Sequence, residues 1–195
     1  DAVTYVPSDP DFAYTADDIV SFFSEHPVRQ LVLINPDNPT GNYLPVADVC
    51  RVAQWCEDNG VRLVYDESFA DFAEEPGSSF LDEGRLACFP HMVAVKSISK
   101  SYGVPGLRLG VAASADKGLV DALKGDVAIW NINSLAEFYL QVAEKYKADY
   151  ARSLDELRAE RARFAAELAG VPHLRVMPSQ ANYLLVEVEG AMTAS

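Results

Sequence analysis

The chain reads Gln30-Leu-Val-Leu-Ile34 and then, without interruption, Asn35-Pro-Asp-Asn-Pro-Thr-Gly41. The first run is short, apolar and partly β-branched, which is typical of a strand that is buried on both faces of a sheet. The second run is dense in residues that favour turns. Together they predict a buried strand that ends in a polar loop.

The same arrangement occurs twice more along the chain. Val61-Arg-Leu-Val-Tyr65 leads into Asp66-Glu-Ser-Phe69, and Met92-Val-Ala-Val95 leads into Lys96-Ser-Ile-Ser-Lys100. Each apolar run predicts a further strand, and polar or charged residues follow each strand at once. Three predicted strands therefore end in side chains that could carry chemistry.

The segments between and beyond these strands predict the connections. Residues 45–59 have apolar side chains at helical spacing, and Gly60 follows as a helix stop. Thr15 is a predicted N-cap for a shorter helix that ends near Glu25. Residues 107–113 predict a fourth strand. Because helices or long connections separate the strands, the predicted fold is α/β, with a mostly parallel sheet and crossover helices.

After residue 116 the pattern becomes mainly helical. A long charged helix is predicted from about residue 150 to residue 169, followed by two short strands at residues 174–177 and 182–188. We expect a domain boundary near residues 145–155. On this division, residues 1–150 are part of a large α/β domain, and residues 151–195 begin a smaller α+β domain.

Composition excludes several classes of protein. The 195 residues are 49% hydrophobic and 23% charged, as in ordinary globular chains, so a disordered or fibrous protein is excluded. The formal net charge of −13 would repel nucleic-acid backbones, so no nucleic-acid partner is expected.

There is no apolar run long enough to span a membrane and no recognisable secretory signal, so we expect no membrane partner and a cytoplasmic protein. Three cysteines without metal-ligand spacing and three scattered histidines predict no metal site.

The polar clusters that follow the three strands would meet at one edge of the sheet, where ligand sites of open α/β sheets form. Each cluster alone has an ordinary explanation. Asn-Pro-Thr-Gly is usually a turn, a strand-end aspartate is usually a cap or a solvated acid, and a lone lysine is usually a surface charge. Arg108 is more unusual, because arginine within an apolar run is seldom buried without a partner.

Taken in order, the motifs are Asn38-Pro-Thr-Gly41, Asp66-x-x-Phe69, Ser97-x-Ser-Lys100 and, eight residues later, Arg108. In this order they resemble the motifs of the fold-type I pyridoxal-phosphate enzymes, specifically the class I/II aminotransferases. The matching stretch runs from residue 35 to about residue 111, with weaker likeness toward the C-terminus.

Two longer strings narrow the resemblance to one branch of that family. Asp66-Glu-Ser-Phe-Ala-Asp-Phe72 and Tyr102-Gly-Val-Pro-Gly-Leu-Arg-Leu-Gly110 are most similar to the branch of histidinol-phosphate aminotransferase and threonine-phosphate decarboxylase. Many aminotransferases have tyrosine where this chain has Phe69, and phenylalanine cannot donate a hydrogen bond to the phenolate oxygen of the cofactor. Phe69 remains a cofactor-binding candidate without a donor role.

The resemblance implies pyridoxal 5′-phosphate as the cofactor and gives each motif a role. Lys100 would hold the cofactor aldehyde as a Schiff base and later shuttle a proton. Asp66 would keep the proton on the ring nitrogen, and the Asn38 amide would donate to the phenolate oxygen. Lys100 and Asp66 are thus the implied catalytic residues. The implied phosphate ligands are Ser97, Ser99 and Arg108.

The resemblance also implies a substrate side. Asn182, Trp130 and Asn133 match positions at which family members contact substrate. The implied function is transamination between an amino acid or amino phosphate ester and a 2-oxo acid, carried out by a homodimer. A decarboxylase of the threonine-phosphate decarboxylase type and a catalytically incomplete structural domain remain alternatives.

Family members start well before Asp1 and continue past Ser195. They carry a glycine-containing phosphate loop on one side and a carboxylate-binding arginine on the other, so we expect this chain to be the middle of a longer enzyme. By itself it should fold at least in part, bind pyridoxal phosphate weakly or not at all, and lack transaminase activity. The reason is that the family's phosphate loop lies at a helix N-terminus, and such an N-terminus normally contributes much of the affinity for a phosphate.

Overall fold

The computed structural model describes residues 2–190. Its helices are α1 Ala16–Glu25, α2 Val46–Asn59, α3 Glu83–Cys88, α4 Ile98–Ser101, α5 Lys117–Asp126, α6 Ser134–Ala143 and α7 Lys147–Ala169. Its strands are β1 Gln30–Ile34, β2 Arg62–Asp66, β3 Met92–Ser97, β4 Gly110–Ala113, β5 Leu174–Val176 and β6 Val186–Val188. Among these residues, no helix is both long enough and apolar enough to cross a bilayer.

The main sheet has the strand order β1-β2-β3-β4, and β5 and β6 form a separate antiparallel pair. β1, β2 and β3 are parallel neighbours, with Ile34 opposite Asp66 and Asp66 opposite Val95. β4 runs antiparallel to β3. The predicted α/β fold with a mostly parallel sheet is confirmed, and the carboxyl ends of three strands lie side by side at one edge.

Helices α1 and α2 share a core with the strands. The Thr15 hydroxyl accepts a hydrogen bond from the Asp18 amide, and the Asp18 carboxylate accepts one from the Thr15 amide, which closes a capping box at the start of α1. Gly60 ends α2 with a φ of 63°, in the left-handed region that favours glycine. Ile19 of α1 and Val52 of α2 are buried in this core. Local end signals and apolar stripes therefore agree in both helices.

Strand β1 differs from its prediction. Leu31 and Leu33 are buried, but Val32 between them is 64% exposed. The described residues therefore cover the strand on one face only, and the prediction of two buried faces is wrong for this part of the chain. A run of consecutive apolar residues does not by itself reveal whether a second layer lies over the sheet.

Several element boundaries also differ from the sequence-based expectation. β4 begins at Gly110, because Pro105–Leu107 forms a 3-10 turn and Arg108 adopts a left-handed φ of 57°. Arg108 therefore precedes the strand rather than lying within it. The pattern does not predict helix α3, which begins where the Asp82 carboxylate accepts a hydrogen bond from the Arg85 amide at 3.0 Å.

Helix α7 packs on the loop that follows β2. Arg158 donates hydrogen bonds to the backbone carbonyls of Asp71 and Ala73, and the nearly buried Arg161 donates to the carbonyl of Phe72. The helix therefore fastens the C-terminal part of the chain to the sheet edge. The predicted domain boundary near residues 145–155 falls at the start of this helix and stays a prediction.

Candidate functional site

One serine ties together the carboxyl ends of β2 and β3. Asp66 ends β2, and its Oδ1 accepts a hydrogen bond from the Ser68 amide at 2.9 Å. The Ser68 hydroxyl in turn accepts one from the Ser97 amide at the end of β3, also at 2.9 Å. The structure thus brings the predicted residues Asp66 and Ser97 to fixed positions on neighbouring strands.

A cavity of about 400 Å³ opens at these strand ends, and we call it the strand-end cavity. Asp66, Ser68, Lys96 and Ser97 contribute to its wall, and residues 109–112 on the β4 side complete it. The Asp66 residue is half-buried. Carboxylate and hydroxyl groups beside one cavity suit a small polar ligand.

Lys100 lies on α4, the single helical turn that follows β3. The residue is exposed, and its Nζ lies 5.6 Å from the centroid of the Phe69 ring. Phe69 is buried just beyond the end of β2. An amine placed over an aromatic face is attracted by the electron-rich ring. The structure therefore holds the Lys100 amine next to the Asp66 end of the sheet.

Residues near the other end of the chain hold the loop that follows β1. The Tyr183 hydroxyl donates a hydrogen bond to the Asp37 carbonyl at 2.6 Å. Gly41 has a φ of 79°, and a Cβ at this position would lie 2.1 Å from the Ser179 hydroxyl oxygen, so this close approach requires glycine. These contacts fix the backbone on both sides of Asn38, which is itself exposed.

Tyr183 belongs to the site although no motif of the sequence points to it. Its ring meets the Phe69 ring edge to face, with centroids 5.1 Å apart. Burial raises the pKa of the Tyr183 hydroxyl, and the nearby carboxylates of Asp37 and Asp66 raise it further, so this group stays a neutral donor. The available signal in the sequence is its place directly after Asn182, which the resemblance implies as a substrate residue.

The implied phosphate ligands lie on two segments that contact each other. Ser97 ends β3 and Ser99 is half-buried within α4. Arg108 follows the 3-10 turn that packs against α4, and its guanidinium donates to the Pro105 carbonyl at 3.3 Å. Within residues 2–190 the exposed Arg108 forms no ion pair, so it is a cation available to an anion near α4.

The implied substrate residues do not line the strand-end cavity in the part of the chain that the structure describes. Trp130 is 93% exposed. Asn133 caps α6 by accepting a hydrogen bond from an amide of its first turn, and its side chain donates to the Leu107 carbonyl at 3.0 Å. Asn182 lines a different cavity of about 320 Å³ beside α7. Contact of these residues with substrate stays a prediction.

Residues 2–193 match the family described as aminotransferase class I and II. The chain belongs to that family. The resemblance based on the motifs around Asn38, Asp66, Lys100 and Arg108 is therefore confirmed. Pyridoxal phosphate, the cofactor implied by the resemblance, is the cofactor of this family.

Curated sequences and solved structures contain many similar proteins, of which three show the range. The CMP-5′-(3-aminopropyl)phosphonate synthase of Streptomyces rubellomurinus is 39% identical over 188 residues, which are 95% of this chain and 29% of that protein. The structure of a decarboxylase from Sulfurospirillum multivorans matches with a TM-score of 0.85 and 31% identity, over 97% of this chain and 55% of that chain. The histidinol-phosphate aminotransferase from Clostridium acetobutylicum matches with a TM-score of 0.84 and 26% identity, over 96% and 55%.

The chain thus spans about half the length of the two solved relatives and less than a third of the synthase. The shared architecture confirms the predicted fold class. A decarboxylase and an aminotransferase match this chain almost equally well, so membership in the family does not select one reaction.

Proposed function

We propose that this chain forms part of a pyridoxal-phosphate-dependent aminotransferase. The observation that carries the proposal is the placement of Asp66 at the end of β2 and of Lys100 on the turn that follows the neighbouring parallel strand β3, with Ser68 joining the two strand ends. A fixed carboxylate and a fixed amine at one rigid edge are the groups that pyridoxal chemistry needs from a protein.

The side chains at this edge fit the cofactor group by group. The half-buried Asp66 suits a protonated ring nitrogen, because a carboxylate beside it keeps the proton in place. The hydroxyls of Ser97 and Ser99 and the exposed guanidinium of Arg108 suit a phosphate. The Asn38 amide offers a donor for the phenolate oxygen.

When bound, pyridoxal phosphate supplies an electron sink for negative charge at the substrate Cα. In the proposal, the chain supplies the positions. The Lys100 amine holds the cofactor aldehyde carbon and, once released by substrate, moves the proton at Cα. Asp66 holds the proton at the ring nitrogen, and Phe69 forms an apolar surface beneath the amine.

Decarboxylation is the second candidate function, and the match to the S. multivorans decarboxylase supports it. Both reactions break a bond at Cα, so the cofactor-binding residues are the same for both. A catalytically incomplete structural domain would keep the fold without converting a substrate. For transamination, the proposed substrates are an amino acid or amino phosphate ester and a 2-oxo acid acceptor.

The remaining parts of the proposal follow from family resemblance. Asn182, Trp130 and Asn133 are proposed to contact substrate. Residues 1–150 and 151–195 are proposed to belong to a large and a small domain. We further propose that the protein works as a homodimer in the cytoplasm.

The position of the reactive amine is tested with the intact protein. It is incubated with pyridoxal phosphate, reduced with borohydride and mapped by peptide mass spectrometry. The expected result is a pyridoxyl label on Lys100 that is absent from Lys100→Ala and unchanged in Lys124→Ala, a matched control on the exposed side of α5. Label on another lysine, or no label, would contradict the assignment.

The two reactions are separated by their products. Transamination converts the 2-oxo acid into an amino acid, whereas decarboxylation releases carbon dioxide and leaves the acceptor unchanged. We expect amino transfer with at least one amino phosphate ester or amino acid of a donor panel. Carbon dioxide release alone would favour the decarboxylase, and label at Lys100 with neither product would favour the structural domain.

A further inference from the structure

Two lysines lie four residues apart at the end of β3, and their surroundings differ. Lys96 is 8% exposed and lines the strand-end cavity, whereas Lys100 is exposed over the Phe69 ring. Both amines are therefore near the end of β2 that carries Asp66. An aldehyde in this cavity would have two amines within the same region, and something must select between them.

Asp71 binds the Lys96 amine. The Lys96 Nζ lies 2.5 Å from Asp71 Oδ1, and both side chains are largely buried. The second carboxylate oxygen, Oδ2, accepts hydrogen bonds from the Ser101 hydroxyl at 2.7 Å and the Tyr150 hydroxyl at 2.5 Å. The carboxylate thus joins the end of β3, the helical turn α4 and the long helix α7.

The electrostatics keep this carboxylate ionised. Burial alone raises the pKa of the Asp71 carboxyl. The ion pair with Lys96 and the hydrogen bonds from Lys96, Tyr150 and Ser101 outweigh burial and hold the pKa below its usual value. At neutral pH the carboxylate therefore remains a full negative charge, and the Lys96 Nζ that donates to it is engaged in this contact rather than free.

The same group also braces the turn that carries Lys100. Ser101, the next residue, donates to Asp71, and Tyr102 stacks on Tyr150 with ring centroids 4.2 Å apart and 7° between the planes. Helix α7 therefore contacts the residue that directly follows α4, and both elements bind Asp71. A turn of four residues is too short to hold its own shape, so these contacts decide where it points.

We propose that Asp71 is a positioning residue that selects the reacting lysine: it holds the Lys96 amine in a buried ion pair and, through Ser101 and Tyr150, fixes the turn that presents Lys100. The inference rests on the proposed function, because the aldehyde concerned is that of pyridoxal phosphate. In the selected step, the neutral amine nitrogen adds to the aldehyde carbon. A carbon–nitrogen double bond forms, and the aldehyde oxygen leaves as water with the two amine hydrogens.

The first experiment needs no cofactor. The intact protein is treated with a limiting amount of N-hydroxysuccinimidyl acetate, and acetylation of each lysine is followed by mass spectrometry. Lys96 should react at least about tenfold more slowly than Lys100, because breaking a buried ion pair is strongly unfavourable. In Asp71→Asn, the Lys96 nitrogen loses its charged partner, so the ratio of Lys100 acetylation to Lys96 acetylation should fall by at least about fivefold.

Milder variants guard against misfolding of Asp71→Asn. Tyr150→Phe and Ser101→Ala each remove one hydrogen bond to Asp71 and should shift the acetylation ratio in the same direction by a smaller factor. Tyr146→Phe is the matched control, since Tyr146 is exposed and lies four residues before Tyr150. Its ratio should equal that of the unmodified protein. Equal reactivity of Lys96 and Lys100 in the unmodified protein, or the same ratio in all variants, would overturn the proposal.

The second experiment uses pyridoxal phosphate with borohydride reduction and peptide mapping. The label should lie on Lys100 in the unmodified protein and be divided between Lys100 and Lys96 in Asp71→Asn. A label that stays wholly on Lys100 in that variant overturns the selection by Asp71. Absence of label from both lysines in the unmodified protein overturns the proposed function instead, and the acetylation ratios then still report whether Asp71 shields Lys96.

Discussion

The region from α1 to β3 and the helical segment at residues 117–143 use apolar side chains in opposite ways. In the first region Leu63 and Phe80 are fully buried. In the second, Ala136 is the one buried residue of α5 and α6, and Trp130 and Phe138 are 93% and 60% exposed. Both regions nevertheless contain regular helices. Within residues 2–190, α5 and α6 are therefore regular helices with little apolar cover.

Side-chain caps determine where the exposed helices α5 and α6 begin. Asp116 accepts a hydrogen bond from the Leu119 amide at the start of α5, and Asn133 accepts one from the Ala136 amide at the start of α6. Thr15 does the same for α1. Local end signals are thus equally good in both regions, but packing against a core stabilises only the first. The comparison predicts that equivalent substitutions will have unequal effects.

The largest contrast is expected between two phenylalanines. Phe80→Ala should lower the free energy of unfolding by about 3–5 kcal/mol, because it leaves a cavity beside Tyr65 in a closely packed core. Phe138→Ala should change it by no more than about 0.5 kcal/mol, because that ring is largely solvated. Urea denaturation of the intact protein measures both. Similar losses would mean that the α6 face is covered in solution.

A smaller contrast is expected between two helix caps. Thr15→Ala removes the hydroxyl of the capping box and should lower the free energy of unfolding by about 1 kcal/mol. Asn133→Ala should leave global unfolding nearly unchanged and speed amide hydrogen exchange in the first turn of α6. Hydrogen exchange together with denaturation distinguishes the two. If Asn133→Ala lowered the free energy of unfolding as much as Thr15→Ala does, the expected difference between the two regions would be wrong.

The smallest effect is expected from pH, again at the start of α1. Hydrogen bonds from the Thr15 side chain and the Thr15 amide lower the pKa of the Asp18 carboxyl below its ordinary value of 3.8. Because the folded-state pKa is the lower one, the contribution is complete above the unfolded-state value and is lost as the pH falls through the folded-state value. Asp18→Asn should therefore flatten the decline in stability below about pH 4. A decline just as steep in that variant would rule out this contribution.

Much of the fold follows from local sequence. The runs that lead into Asp66 and Lys96 form strands as predicted, and the ends of α1 and α2 lie where Thr15 and Gly60 place them. Local sequence does not reveal what covers a strand, and so the exposed Val32 face of β1 was predicted to be buried. Helix α3 was missed because its six residues are too few to show a helical period.

The candidate site also contains residues that local sequence predicts and residues that it does not. The strand ends explain why Asp66 and Ser97 lie side by side, since parallel strands bring their carboxyl ends to one edge. Tyr183 and Asp71 were not predicted because their roles depend on partners that are distant in sequence. Tyr183 binds a carbonyl 146 residues away, and Asp71 accepts a hydrogen bond from a tyrosine 79 residues away. Pairings of this kind leave no periodic trace in the sequence.

The hydrogen bond from Tyr183 to the Asp37 carbonyl can form only late in protein synthesis. The two residues are 146 positions apart, and at about 5–20 residues per second the ribosome needs roughly 7–30 s to connect them. During that interval the strands can pair, but the loop that carries Asn38 still lacks the hydrogen bond from Tyr183. A nascent chain would therefore acquire its strand ends first and its finished binding loop only when translation has passed Tyr183.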